Sequence, residues 1–102
     1  MDKKYTVIIK EEFHKEFQSI MEYTTYFFGY NQTEKLTNAV LKQINTLEQN
    51  PNIYLKIEGK NNYRYFTLIK YPFHIIFRIN EKEKVVYVLK IVHVSRNDKF
   101  KI

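Results

Sequence analysis

The chain has no cysteine, and only two glycines and two prolines among its 102 residues. The lack of cysteine excludes a disulfide framework and a thiolate metal site, as is typical of a reducing compartment. No apolar run approaches the ~20 residues that span a bilayer. The N-terminus also lacks the apolar segment of a signal peptide. We therefore expect a soluble, cytoplasmic protein with no membrane partner.

Aromatic and basic residues are what the chain has in quantity. Nine tyrosines and eight phenylalanines give 17% aromatic content, and the hydrophobic fraction is 44% against 27% charged. This composition is globular, and the length predicts a single domain over residues 1–102. A formal net charge of +6 favours nucleic acid, an anionic surface or an acidic protein as partner, or else it serves solubility alone.

The first half of the chain predicts a strand followed by a helical hairpin. Segment 5–9 is rich in β-branched residues and predicts a strand. Apolar residues at three- and four-residue spacing then predict one helix ending at Gly29 and a second from Asn31 to Asn50. Asn31 and Glu34 have the spacing of a capping box. The short joint between the helices predicts that they run antiparallel.

The second half predicts most of the sheet. Residues 52–62 are predicted to form a loop, and three strands follow, separated by Pro72 and by the charged segment 80–84. The order βααβββ predicts an α+β fold, with the two-helix hairpin packed on one face of a mainly antiparallel four-stranded sheet. The polar C-terminal segment 97–102 is predicted to fray.

Several cationic or titratable side chains lie on these last strands, namely Arg64, His74, Arg78, His93 and Arg96. Cations are costly to bury without partners, so we expect the sheet to present them to an anion on one face. Strand alternation places His74 and Arg78 on the open face of their strand, away from the helices. For Arg64 the alternation does not decide between the two faces.

Each of these residues also has a structural interpretation. A strand histidine is commonly a hydrogen-bonded part of the fold, and Arg78 can stack on an aromatic ring. Arg96 can pair with a carboxylate such as Asp98 or Glu11. The sequence has no glycine-rich phosphate loop, no metal-ligand spacing and no nucleophile elbow. We therefore expect no metal, no cofactor and no hydrolase triad.

Four segments, taken in order, resemble the RelE/ParE superfamily of bacterial toxins from type II toxin–antitoxin modules. They are Asn50–Tyr54, Tyr63–Arg64, Tyr71–Phe77 and Ile91–Arg96. This succession is most similar to the ParE-like branch and spans nearly the whole chain. The resemblance implies a cytoplasmic toxin that is neutralised by a cognate acidic antitoxin. Because ParE-like members are known as inhibitors of DNA gyrase, it implies inhibition by binding, without turnover of a substrate.

The RelE-like branch implies the alternative, a metal-independent endoribonuclease that cleaves mRNA on the ribosome. The first lysine of that branch corresponds to Arg64, its second falls on Phe66, and its strand-opening arginine falls near His74. The arginine after the last strand falls near residues 95–96, and the tyrosine that follows has no equivalent. On this alternative Arg64 and Arg78 hold phosphate and His74 moves a proton.

The resemblance leaves a third reading, a non-toxic relic of the fold that acts only as a binding or regulatory module. In every case the residues expected to contact a partner or nucleic acid are Arg64, Arg78, His93 and Arg96. His93 and Arg96 are expected to anchor the end of the last strand. An exposed apolar edge around Phe27, Phe28 and Tyr30 is expected to receive the antitoxin. A homodimer is a further expectation.

Overall fold

The computed structural model describes residues 3–101 and has an α+β architecture in which a helical hairpin covers one face of a sheet. The elements are β1 (Thr6–Ile9), α1 (Glu11–Phe28), α2 (Tyr30–Asn45), β2 (Leu55–Lys56), β3 (Tyr63–Thr67), β4 (Phe73–Asn80) and β5 (Val85–His93). The five-stranded sheet has the order β1-β5-β4-β3-β2. β1 runs parallel to β5 and the other neighbours are antiparallel. The predicted architecture is confirmed.

The sheet has one strand more than predicted. Leu55 and Lys56 pair with Tyr65 and Arg64 and form the edge strand β2 within the region predicted to be a loop. Both residues of β2 are exposed. A strand of two residues is too short to show the alternation by which strands are recognised in a sequence.

The helical hairpin turns at Gly29, which has φ +91°, a backbone conformation that favours glycine. Its N–H donates to the Thr25 carbonyl at 3.0 Å, which closes α1. The predicted capping box of Asn31 and Glu34 is wrong, because α2 begins at Tyr30 and has no side-chain cap. Asn31 is therefore already inside the helix. Over residues 3–101, neither helix is long and apolar enough to cross a membrane.

The main core lies between the hairpin and the sheet. Its helical members are Phe13, Phe17, Leu36, Val40 and Ile44, and strand members include Ile75, Phe77, Ile79, Val86, Val88 and Ile91. The apolar stripe predicted along α1 belongs to this core only in its first half. Phe27 and Phe28, at the far end of α1, remain 59% and 64% exposed. The end of the hairpin thus projects beyond the core.

The open face of the sheet carries a second, smaller cluster. Ile57, Ile76 and Val92 are buried there, and Tyr63, Tyr65 and Phe100 pack against them. The prediction that the C-terminal segment frays is wrong for residues 97–101, because Phe100 packs against the open face of the sheet. Burial of an aromatic ring on this cluster offsets part of the conformational entropy that the segment loses.

Candidate functional site

His74 lies on the open face of the sheet, as predicted, near the start of β4. Its Nδ1 is 2.8 Å from Thr67 Oγ1, and its ring centroid lies 5.1 Å from that of Tyr65 and 5.4 Å from that of Phe100. Burial, and to a lesser degree the positive charge of Lys99, lowers the pKa of His74 from its usual 6.5. At neutral pH this side chain is therefore an uncharged, hydrogen-bonded ring.

Arg78 lies on the same face, four residues further along β4 and so roughly 13 Å from His74. Its guanidinium carbon is 4.5 Å from the centroid of the Tyr87 ring. The Lys10 ammonium lies 5.6 Å from the same centroid. Arg78 therefore has the aromatic stacking partner that the structural interpretation expected.

Arg64 lies on the other face of the sheet. In the β3–β4 register it is paired with Phe77, whose ring is wholly buried in the core beneath the helices. Its Nη1 donates to the Tyr54 carbonyl oxygen at 2.7 Å. The expectation that the cations of the sheet share one anion-facing surface is therefore wrong. A half-buried carbonyl at the end of a turn needs a donor, and Arg64 supplies it.

His93 and Arg96 follow at the end of β5 and have local partners. Nδ1 of His93 accepts from the Ser95 N–H at 3.1 Å and lies 2.7 Å from Ser95 Oγ, while the imidazole meets the Phe73 ring edge to face at 5.6 Å. Arg96 donates twice to Asp98, each time at 3.1 Å. This hydrogen-bonded pairing lowers the pKa of Asp98 from its usual 3.8. Of the two expected carboxylates, the structure selects Asp98.

The three side chains predicted to be catalytic therefore do not meet in one place. Arg64 faces the helices, His74 is packed beneath Phe100, and Arg78 is stacked at the other end of β4. Within residues 3–101, no cluster of three or more metal-binding side chains is present. Among the described residues, these cations and their aromatic neighbours are divided between the two faces of the sheet and do not form a converging set of acid, base and phosphate ligands.

A basic groove, which sequence reasoning did not single out, runs between α2 and the turn that joins β3 to β4. Its volume is about 440 Å³, and its lining consists of Lys35, Ala39, Lys42, Gln43, Leu68, Ile69, Lys70 and Tyr71. Ile69 in its wall is 87% exposed. The helical spacing of Lys35, Ala39 and Lys42 is a signal in the sequence that marks one face of α2.

An apolar groove of about 580 Å³ lies next to the basic groove and shares Tyr71 with it. It is lined by Ser19, Ile20, Tyr23, Thr24, Phe28, Gln32, Leu36, Tyr71, Pro72, Phe73 and His93. Beside it, Phe27, Phe28 and Tyr30 are 59%, 64% and 70% exposed, so the predicted apolar edge of the hairpin is confirmed. Tyr23 and Tyr26, at 60% and 83% exposed, extend that edge further than predicted.

The family model of the ParE toxin of the type II toxin–antitoxin system parDE matches residues 7–98. The chain belongs to this family. No curated protein matches it in sequence.

Solved structures share the ParE-family fold at low sequence identity. The chromosomal ParDE system from P. aeruginosa matches with a TM-score of 0.79 at 19% identity, covering 90% of this chain and 98% of that one. The isolated E. coli RelE toxin matches with a TM-score of 0.59 at 17% identity, covering 95% and 92%. The archaeal RelE–RelB complex from Pyrococcus horikoshii matches with a TM-score of 0.59 at 21% identity, covering 91% of this chain and 98% of that one. The ParE-family chain is thus a toxin of the RelE/ParE superfamily.

Proposed function

We propose that this ParE-family toxin acts by binding DNA gyrase, and not by cleaving mRNA. One observation carries the proposal: Arg64 lies on one face of the sheet, and His74 and Arg78 lie on the other. Ribonuclease chemistry needs a base, an acid and phosphate-binding charge around one scissile bond. A chain whose cations are tied into the fold on different faces is better suited to inhibition by contact.

The surroundings of His74 support the same proposal. A general base must reach the proton that it removes, within hydrogen-bond distance or through one water. Nδ1 of His74 is engaged with Thr67, and the ring packs against those of Tyr65 and Phe100. Arg78, the cation on the same face, stacks on Tyr87 roughly 13 Å away along the strand. The phosphate ligand of the alternative mechanism is thus distant from its proton carrier.

We further propose that an acidic antitoxin neutralises the toxin by occupying the basic groove, and not the apolar edge around Phe27, Phe28 and Tyr30 on which the sequence led us to expect it. Lys35, Lys42 and Lys70 attract an acidic segment, and Leu68 and Ile69 offer it apolar surface. Charge steers such a segment to the groove, and apolar burial then offsets the entropy that a disordered chain loses when it folds on a partner. The solved structures that share this fold include toxin–antitoxin complexes, which supports a protein partner of this kind.

Two assays separate the proposed target from its alternative. Purified toxin is added to a gyrase supercoiling reaction and, separately, to ribosomes translating a defined mRNA. We expect inhibition of supercoiling, retained by His74→Ala, and no cleavage within codons. Cleavage between bases of an A-site codon, abolished by His74→Ala, would overturn the proposal in favour of the nuclease. No effect in either assay, together with no growth arrest on expression, would favour the third reading, a non-toxic binding or regulatory module.

The antitoxin site is tested with charge-reversal variants of the basic groove. The toxin is co-expressed with the product of the adjacent gene, and association is measured at increasing ionic strength. We expect Lys42→Glu with Lys70→Glu to slow association and to flatten its salt dependence. Lys15→Glu, an exposed lysine of α1 outside the groove, is the matched control. Recovery of the toxin alone, or an equal effect of the control, would count against this site.

A further inference from the structure

We infer that the end of the helical hairpin is a self-association surface that takes a second copy of this chain. The surface, here called the aromatic tip, consists of Tyr23, Tyr26, Phe27, Phe28 and Tyr30. Each of these residues is between 59% and 83% exposed. The inference does not rest on the identity of the toxin's target, because it concerns the purified chain alone.

The aromatic tip is large enough to form an interface. A buried aromatic side chain covers about 150–250 Å², so five rings exposed to this degree offer roughly 500–800 Å². The largest apolar patch on an ordinary monomer is about 300–600 Å². A stable interface of standard size needs about 800 Å² from each partner. The tip therefore approaches the area that one half of a dimer contributes.

Three of the five rings of the tip pack against one another. The Phe27 centroid lies 4.6 Å from that of Tyr23 and 4.9 Å from that of Tyr26. Just below the tip, the hydroxyls of Thr25 and Thr33 lie 2.6 Å apart and join α1 to α2. A surface that is fixed before binding loses little side-chain freedom when a partner covers it. This lowers the cost of association.

The charge of the tip identifies the kind of partner. Between Gln18 and Glu34 the chain has no lysine and no arginine, and Glu22 and Glu34 are acidic, although the whole chain carries a net charge of +6. An acidic protein segment, a nucleic-acid backbone or an anionic membrane gains no electrostatic attraction at such a surface. Two copies of the tip meet through uncharged rings, which need none.

The neighbouring apolar groove offers a recess beside the tip. Tyr23 and Phe28 belong both to the aromatic tip and to the wall of that groove. Phe27 is 59% exposed and packs against Tyr23, with ring centroids 4.6 Å apart. In a twofold dimer the same patch serves both partners. In the proposed dimer, the Phe27 ring of each copy enters the groove of about 580 Å³ in the other.

The absence of cysteine allows a direct test by cross-linking. Tyr30→Cys gives a chain with a single thiol in the tip, and Ile53→Cys places one at an equally exposed site (72% against 70%) in the short helical turn before β2. Under mild oxidation we expect Tyr30→Cys to form disulfide-linked dimers at least tenfold faster than Ile53→Cys. Adding Phe27→Ser to the tip variant should remove that advantage.

Sedimentation of the full-length chain over a concentration series gives the second measurement. We expect a monomer–dimer equilibrium that Phe27→Ser weakens at least about tenfold, as loss of a central aromatic contact typically does, and that Ile53→Ser leaves unchanged. A monomer at every concentration would overturn the inference. A second result would also overturn it: a chain that stays monomeric, and whose thiol at residue 30 is protected from oxidation by the antitoxin or by phosphatidylglycerol vesicles only while Phe27 is present.

Discussion

The Phe100 ring lies 4.5 Å, centroid to centroid, from the ring of Tyr65, and through this contact the C-terminal segment crosses the open face of the sheet. The same ring lies 5.4 Å from His74. The last described residues of the chain thus form part of the environment of a titratable group on β4. The properties of His74 should therefore respond to changes in a segment that looks dispensable in the sequence.

Removing the Phe100 ring should affect both stability and titration. We expect Phe100→Ala to lower the free energy of unfolding by about 1–2 kcal/mol, because a half-buried aromatic contact is lost. The pKa of His74 should rise toward 6.5, because burial is the main cause of its lowering. Ring titration by NMR and chemical denaturation measure the two effects. Phe27→Ala, which removes an aromatic ring remote from His74, is the control. An unchanged pKa of His74 would contradict this account.

The pH dependence of stability should reflect the lowered pKa of His74. The pKa of His74 is lower in the folded chain than in the unfolded chain, where it is near 6.5. The contribution of the neutral ring is therefore complete above pH 6.5 and is lost as the pH falls through the folded pKa. We expect His74→Gln to flatten the stability profile below pH 6.5. His14→Gln, an exposed histidine of α1, gives the comparison, and equal flattening by both variants would refute the assignment.

A second pH effect should come from Glu81, in the turn between β4 and β5. Hydrogen bonds from Lys84 first, then from Tyr5 and Asn52, lower the pKa of Glu81 to about 2. Its contribution is present above the usual value of 4.5 and is lost between that pH and about 2. Because the side chain is 49% exposed, we expect Glu81→Gln to cost less than about 1 kcal/mol. Acid unfolding of Glu81→Gln and Tyr5→Phe checks this, and an unchanged acid midpoint in both would exclude the role.

Arg64 and Arg96 should differ in how much they contribute to the free energy of unfolding. Arg64→Ala leaves the half-buried Tyr54 carbonyl without its donor, so we expect a loss of about 1–3 kcal/mol in unfolding free energy. Arg96→Ala breaks a pair with Asp98 whose side chains are 50% and 55% exposed and therefore screened by solvent, so it should cost less than Arg64→Ala. Urea denaturation of both variants measures the difference. An equal loss of unfolding free energy in both variants, or a larger loss in Arg96→Ala, would contradict this prediction.

The parts of the fold that the sequence predicts are those set by local periodicity. The helical hairpin follows from apolar residues at helical spacing, and the glycine at its turn marks the boundary. In β4, Ile75 and Phe77 alternate with His74 and Arg78, and the structure buries the first pair beneath the helices. These patterns are complete within each segment, so no distant contact is needed to interpret them.

The parts that were missed depend on contacts between distant segments. In β3, aromatic residues occur on both faces, with Tyr65 on one and Phe66 on the other, so alternation cannot place Arg64. Only the Tyr54 carbonyl and the register with Phe77 decide its position. Phe100 likewise finds its partners across the sheet. Alternation therefore assigned the side chains of β4 to the faces on which the structure has them, and it left the face of Arg64 undecided.

The parallel pairing of the first strand with the last has a consequence for how the protein is made. Thr6 is paired with Val85, and the remaining contacts of β1 in the sheet also lie on β5. Contacts so far apart in the chain form slowly, and here they cannot form at all before β5 has emerged from the ribosome. The sheet of a nascent chain thus stays incomplete until β5 is available. Any toxicity that requires the native structure must wait for that strand.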